Sequence, residues 1–249
     1  WLKYIYNTEE KLTAYNLSEL NENFVQTDGI TTLKRKYNAG VGRDFVNSMP
    51  PSLDTADVDL AYILGWYLGE GHLEKYNNEY DCYTVVGWTL SSYETHVIDR
   101  INMILAKWNA GKLSISYRED NNAVCVRLSN PVLASLMEKL AGTGSRTKQL
   151  AKSIMTAGKT FQEQLIMSYG DADGWTREGG IDIRTVSPIL ARQIKDITAR
   201  LGFLASISSA PSKMMQANAK YGPYIQSESF CINYSHSGRS MLGKRKIDS

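Results

Sequence analysis

LAYILGWYLGEG, residues 60–71, and LIMSYGDADG, residues 165–174, decide how the rest of this chain is read. Each is an apolar run that closes on a small residue, an acid and a glycine: Gly69, Glu70 and Gly71 in the first, Ala172, Asp173 and Gly174 in the second. Small residues stand four apart in both, Gly65 with Gly69 and Ser168 with Ala172. Positions four apart share one face of a helix. Two small residues on such a face let a second backbone approach closely. The spacing therefore predicts two helices packed on each other, with Glu70 and Asp173 carried to the same end of the pair. Asp57 or Asp59 is the expected N-cap of the first helix, and Gly71 is expected at the residue just past its end.

Around the two runs the composition is that of a globular protein, 43% hydrophobic and 22% charged over 249 residues. The length suits one large domain or two smaller ones. Cys82, Cys125 and Cys231 are far apart, odd in number and without zinc-ligand spacing, so they read as buried thiols in a reducing compartment. The first apolar run is too short to span a bilayer, and no secretory signal is visible. We therefore expect no membrane partner and an intracellular protein, in the cytoplasm of a microbial host or in an organelle. The chain opens on Trp1 rather than Met, as expected of a fragment or of a segment released from a longer precursor.

Net charge is only +2, but it is unevenly spread. Residues 53–81 carry seven acids and one Lys, whereas residues 139–159 carry five bases and residues 184–220 carry six bases and one acid. Acids gathered at a centre and bases along the flanks fit a surface that binds a polyanion.

Residues 1–53 read as an N-terminal extension, with a short helix between Tyr15 and Phe24 and a double proline, Pro50 and Pro51, as punctuation. After the first motif come two strands joined by a turn at Asn77 and Asn78. A helix capped by Ser91 or Ser92 follows, with Val97, Ile98, Ile101, Ile104, Leu105 and Trp108 on one face. A hairpin over KLSISYR and AVCVRL leads to a helix opened by Pro131. After the second motif the order recurs. Residues 175–186 are strand-like, Ser187 with Pro188 starts a helix, and FLASISS and SFCINYS are strands flanking a long polar loop at 210–227. The chain reads as an internal duplication, residues 54–158 and 159–249.

These residues resemble the LAGLIDADG homing endonucleases. ILGWYLGEG (63–71) and IMSYGDADG (166–174) place Glu70 and Asp173 at that signature's acidic position, and GTGSRTKQL and TVSPILARQIKDITARLGF support the match. The resemblance implies an α+β fold of two pseudo-symmetric αββαββα repeats. They pack through the motif helices into a saddle of two antiparallel sheets. It also implies a monomer, encoded by an intron or an intein, that cuts double-stranded DNA at a long site. The implied cofactor is Mg2+, or another divalent cation such as Mn2+, held by Glu70, Asp173 and the carbonyls of Gly69 and Ala172. Such a cation neutralises the scissile phosphate and activates water. Lys148 and, in the second repeat, Lys246 are the implied catalytic lysines, basic partners that stabilise charge on the phosphate or polarise the water. DNA contacts fall on Lys75, Asn78, Tyr80, Tyr83, Trp88, Arg118, Arg127 and Arg146, and on Arg177, Arg184, Lys213 and Lys220. The first motif departs from the signature at Leu68 and in having Glu70 for Asp. Two further readings stay open: an RNA maturase that aids intron splicing, and a catalytically degenerate DNA-binding relative.

Overall fold

The computed structural model describes residues 15–20, 22–33, 48–54, 57–75, 82–118, 122–177, 180–215 and 224–235. The architecture is α+β, built on two helices that touch along their small residues. Helix α1 (Val58–Glu70) starts at Asp57, whose carboxylate accepts from the backbone N–H of Asp59 at 2.9 Å. Lys107, from the far end of the next helix, binds Asp57 at 3.0 Å and Asp59 at 2.7 Å. The apolar residues from Leu60 to Leu68 are all buried, so α1 is covered nearly all round. Its principal partner is the second motif helix, Lys159–Asp173.

The approach is set by missing atoms. A Cβ on Gly65 would lie 2.5 Å from Cβ of Ser168 and 2.9 Å from the backbone of Leu165 and Tyr169. A Cβ on Gly69 would lie 2.7 Å from Cβ of Ala172. The four small residues picked from the sequence are the contact.

Each motif helix runs without a loop into a strand, and the two halves then repeat one topology. In the first, β5 (Gly71–Glu74), β6 (Val85–Ser91), β7 (Ser114–Arg118) and β8 (Ala123–Ser129) form an antiparallel sheet in the order β5-β6-β8-β7. Strands β1 (Tyr15–Asn16), β2 (Phe24–Thr27), β3 (Ile30–Leu33) and β4 (Ser52–Leu53) precede them and form separate pairs, β1 with β4 and β2 with β3. In the second half β9 (Gly174–Arg177), β10 (Gly180–Thr185), β11 (Ala205–Ala210) and a last strand, Ser229–Ser235, pair in the equivalent order.

Register gives residue-level equivalences. His72 faces Gly87 and Gly87 faces Arg127, while Trp175 faces Asp182 and Asp182 faces Asn233. Likewise Thr89 faces Cys125 where Arg184 faces Cys231. On each sheet one side covers helices and the other is open, which makes the saddle.

Helices α2 (Thr95–Lys107), α3 (Pro131–Ala141) and α4 (Lys152–Met155) follow α1, then α5 (Lys159–Asp173) and α6 (Pro188–Arg200). Of the six apolar residues expected on one face, five lie on α2 and Trp108 caps its end, and all six are buried. Asn130 and Ser187 cap α3 and α6, each with a proline in the first turn. A small ribbon, β12 (Lys213–Met215) with β13 (Tyr224–Gln226), branches from the hairpin of β11 and the last strand, β14 (Ser229–Ser235).

The structure corrects several local expectations. Tyr15 to Phe24 is not a helix but strand β1, a 3-10 turn at Leu17–Glu19 and the start of β2. Leu17, Phe24, Met49 and Leu53 join the main core. Neither Ser91 nor Ser92 caps α2: Ser91 ends β6, and its N–H donates to Glu94, which holds the cap position. Gly71 has φ −86 and ψ 149, extended rather than left-handed. It is small because a Cβ there would strike Tyr67, and Gly174 likewise meets Gly170. Residues 175–186, read as one strand, belong to the pair β9 and β10, and the polar 210–227 loop holds the ribbon. The turn at Asn77 and Asn78 and the closing helix of the second repeat lie outside the described residues. So do Asn78, Tyr80, Lys220 and Lys246. No helix among the described residues is long and apolar enough to cross a membrane.

Gly65→Ala is expected to cost about 1–3 kcal/mol of stability by denaturant titration, as overpacking does in a tight interior. Adding Ser168→Gly is expected to recover only part of that, because the clash with the Leu165 and Tyr169 backbone, at 2.9 Å, persists.

Candidate metal and nucleic-acid site

The contact between α1 and α5 delivers Glu70 and Asp173 to one end of the helix pair, where both helices point their carbonyl ends. Burial pushes the Glu70 carboxyl up to about 7, reinforced by the negative charges of Asp173 and Glu94 against the pull of Lys148. Asp173 keeps an exposed edge, yet the helices displace enough of its water to push it up to about 6, against the attraction of Lys148 and Arg184. Glu94 was missed in the sequence because a lone acid at a helix start has no pattern.

Lys148 is buried, only 5% exposed, in the segment that joins the halves. Its ammonium donates to the carbonyls of Tyr67 (2.6 Å), Leu68 (3.0 Å) and Gly71 (2.8 Å), and lies 4.6 Å from the centre of the Tyr67 ring. An ammonium has three donors, and all are taken by the end of α1. The charge of Lys148 thus neutralises the helix terminus beneath Glu70. Burial lowers its pKa to about 8, while Asp173 and Glu70 pull the other way. Tyr67 donates its hydroxyl to the Gly142 carbonyl at 2.7 Å, and Ser187 donates to the Lys148 carbonyl at 2.7 Å. The end of α1 is therefore fastened to both halves.

A cleft of about 460 Å³ opens beside this end, lined by Gly69, Lys148, Asp173 and Arg184 and walled by Tyr224 and Gln226 of the ribbon. Arg146 reaches across to Ser227 at 2.5 Å. A second cleft of about 600 Å³ lies on the open face of the second sheet, around Asp173, Trp175, Asp182 and Arg184.

Among the remaining DNA-contact candidates, Arg118 and Arg127 lie on the open face of the first sheet. Arg127 donates to Glu74 at 3.0 Å, and His72 shares that carboxylate at 2.9 Å. Burial raises Glu74, but the bonds from His72 and Arg127 outweigh it and hold the carboxyl below its ordinary range. Lys75 stacks over Tyr83 at 5.4 Å, Lys213 is exposed on the ribbon, and Arg177 is a residue of β9 paired with Gly180. Trp88 is a correction. It is wholly buried, since it pairs with Gly71 and Val126 on the helix-covered side of the sheet, one residue out of phase with the open face. Of the cysteines, Cys82 and Cys125 are buried but Cys231 is half-exposed on the open face; none is in a disulfide.

A metal at this end would find oxygen donors only: two carboxylates and the backbone carbonyls before them. That donor set suits Mg2+ or Mn2+, with water and phosphate completing the shell. No group of three or more His, Cys, Asp or Glu with metal-site geometry occurs among the described residues, so the protein alone supplies a sparse site.

No family model matches the chain. It is 23% identical over 197 residues to iron-sulfur cluster assembly SufBD family proteins of Mycobacterium bovis and Mycobacterium tuberculosis, a match covering 76% of this chain and 22% of theirs. It is 31% identical over 124 residues to the DNA-directed RNA polymerase subunit Rpo1C of Methanocaldococcus jannaschii, covering 47% of this chain and 13% of the subunit. The chain thus spans less than a quarter of the length of these relatives. Among solved structures it is similar to mesophilic variants of the homing endonuclease I-DmoI, with TM-score 0.52, 16% identity, and coverage of 78% of this chain and 98% of that one. I-DmoI in complex with DNA and Ca gives TM-score 0.52 at 16% identity, over 78% of this chain and 91% of that one. The fold is an α+β saddle that matches that of I-DmoI.

The raised acids give a test of the site that needs no DNA. Both carboxyls hold protons that the unfolded chain has already released, so their share of stability is present in acid and is lost as pH climbs through about 6 and 7. Lys148 acts in the opposite sense only above about 8. Without metal, the melting temperature is expected to fall between about pH 5 and pH 8. Glu70→Gln should flatten the fall, and Mg2+ should reverse it in the wild type alone.

Proposed function

We propose that this chain is a metal-dependent, site-specific endonuclease of double-stranded DNA. The observation that carries the reading is the pair Glu70 and Asp173 at one end of a glycine-tight helix pair, between two sheets of equal topology. It is supported by the fold shared with I-DmoI, whose solved structures include complexes with DNA and Mn or Ca.

Under this reading the saddle straddles the duplex as a monomer. Glu70 and Asp173, with the carbonyls of Gly69 and Ala172, would hold Mg2+ or Mn2+, and such a cation, when bound, would supply charge neutralisation at the phosphate and a more acidic water. The protein's own residues do the rest. The α1–α5 contact fixes the separation of the carboxylates. Lys148 holds the last turn of α1 so that Glu70 keeps its direction. Arg184, beside Asp173, draws a phosphate oxygen towards the second acid. Arg118, Arg146, Lys75 and Lys213 supply backbone contacts, and the open strand faces supply base contacts. The second-repeat basic partner, Lys246, is proposed on resemblance alone.

The test is cleavage of a randomised duplex library with Mg2+, followed by sequencing of cut ends. A defined double-strand cut is expected, with Glu70→Gln and Asp173→Asn each lowering the rate by about a hundredfold or more. Duplex binding without cutting would leave a degenerate DNA-binding relative, and tight binding to intron RNA alone would leave a maturase.

A second proposal concerns origin. An iron-sulfur assembly protein and a polymerase subunit differ in their named roles, yet each carries a match to this chain over only 22% or 13% of its length. A segment common to two such proteins fits a mobile insert carried within host proteins, as an intein is. Sequencing the genomic flanks should then show one host reading frame continuing in phase on both sides. Stop codons in phase on both sides would point to an intron.

A further inference from the structure

The open face of the second sheet carries a residue that neither the motif nor the charge pattern picks out. Trp175, two positions past Asp173, is 73% exposed, whereas Trp66, Trp88 and Trp108 are 2%, 0% and 3% exposed. An isolated exposed apolar side chain is ordinary. A tryptophan on the open face of a sheet, lining the cleft that also holds Asp173, is not. It is not left over from poor packing either, because register directs it outward: Trp175 pairs with Asp182, while Ile183 in the next position is wholly buried.

The equivalent place in the first half is filled differently. There His72 lies over Gly87 and is tied to Glu74, which in turn holds Arg127, so the polar groups satisfy one another. In the second half Trp175 is paired across the ladder with an acid, Asp182, and both line the cleft. With its amide nitrogen towards Asp182, Asn233 donates to both carboxylate oxygens at 2.9 and 3.2 Å. Arg184 lines the same cleft. An aromatic plane, a carboxylate fixed by an amide and a guanidinium thus lie within one open space.

We propose that this cleft binds the nucleotide flanking the phosphate held at Asp173, with Trp175 packed on its base and Asp182 accepting from an exocyclic amine. The proposal rests on the DNA-binding reading above. The chemistry fits each part of a nucleotide. In a duplex the faces of the bases are stacked on one another, so the indole packs on the exposed C5–C6 edge of the pyrimidine. Cytosine presents an amino donor to a carboxylate in the major groove. Arg184 faces the phosphate. At this place the first half has the imidazole of His72, tied to Glu74, rather than a free indole, so the two half-sites are read by different means.

The experiment uses the full chain with Trp1→Phe, so that Trp175 dominates exposed emission, and a fluorescein-labelled duplex recovered from the randomised library. Anisotropy of the label reports binding independently of the indole. Expected is quenching of tryptophan emission on saturation, a loss of affinity of about tenfold or more in Trp175→Ala, and recovery of most of it in Trp175→Phe. Replacing selected cytosines by thymine at the flanking position should weaken the wild type and leave Asp182→Asn indifferent. Duplex binding with unchanged emission and an unaffected Trp175→Ala overturns the role of Trp175 and leaves the DNA-binding reading standing. Absence of duplex binding in the wild type overturns both.

Discussion

The structure depends on how closely α1 and α5 approach. Gly65 against Ser168 and Gly69 against Ala172 leave no room for one further carbon at either glycine. Once the helices are that near, their ends are near, and Glu70 and Asp173 share a single electrostatic environment. Because each helix runs straight into a strand, the same contact also places the two innermost strands, β5 and β9, beside the common axis. Helix packing, site geometry and sheet placement follow from one contact.

That arrangement concentrates negative charge. Two carboxylates and the carbonyl ends of two helices meet in a place that water only partly reaches. Among the described residues, the compensation is lopsided. Lys148 gives all its donors to the end of α1, and its own carbonyl is held by Ser187. Gln193 of α6 then binds both the N–H and the carbonyl of Leu150, at 2.7 and 2.8 Å. The connection between the halves is therefore clamped by the second half while it fastens the first. The first acid is the one departing from the signature in length, and it is also the one whose helix end is most firmly held.

Much of this was legible in the sequence, and for identifiable reasons. Helical contacts between small residues leave a period-four trace, so Gly65, Gly69, Ser168 and Ala172 could be named before any coordinates. Capping leaves a local trace as well, and Asp57 and Ser187 cap where the pattern says. Interruptions of the pattern were harder. Glu94 rather than a serine heads α2, because Ser91 is still bound in β6. Trp88 was misplaced because VVGWTLS has apolar residues on both faces, Val85 and Gly87 being buried along with Val86 and Trp88, so alternation could not tell the sides apart. Trp175 lies in a stretch that reads as strand-like, but its strand is only Gly174–Arg177, too short for alternation to say which side the indole faces.

Register turns that difficulty into an explanation of how the halves diverged. In each sheet, alternate residues answer to different demands. Those on the covered side must fill the space against the helices, and Trp88 and Ile183, which hold equivalent places, are both buried. Those on the open side are free of that demand. There the equivalent pairs are unlike: His72 and Trp175, Gly87 and Asp182, Arg127 and Asn233, Thr89 and Arg184. Because successive side chains of a strand point to opposite faces, the open set can change without disturbing the packed set. A duplicated fold can thereby keep one backbone in two copies while presenting two different surfaces. A duplex whose two half-sites differ in sequence would require such a pair of surfaces, held at a fixed spacing by helices that cannot move apart without losing their contact.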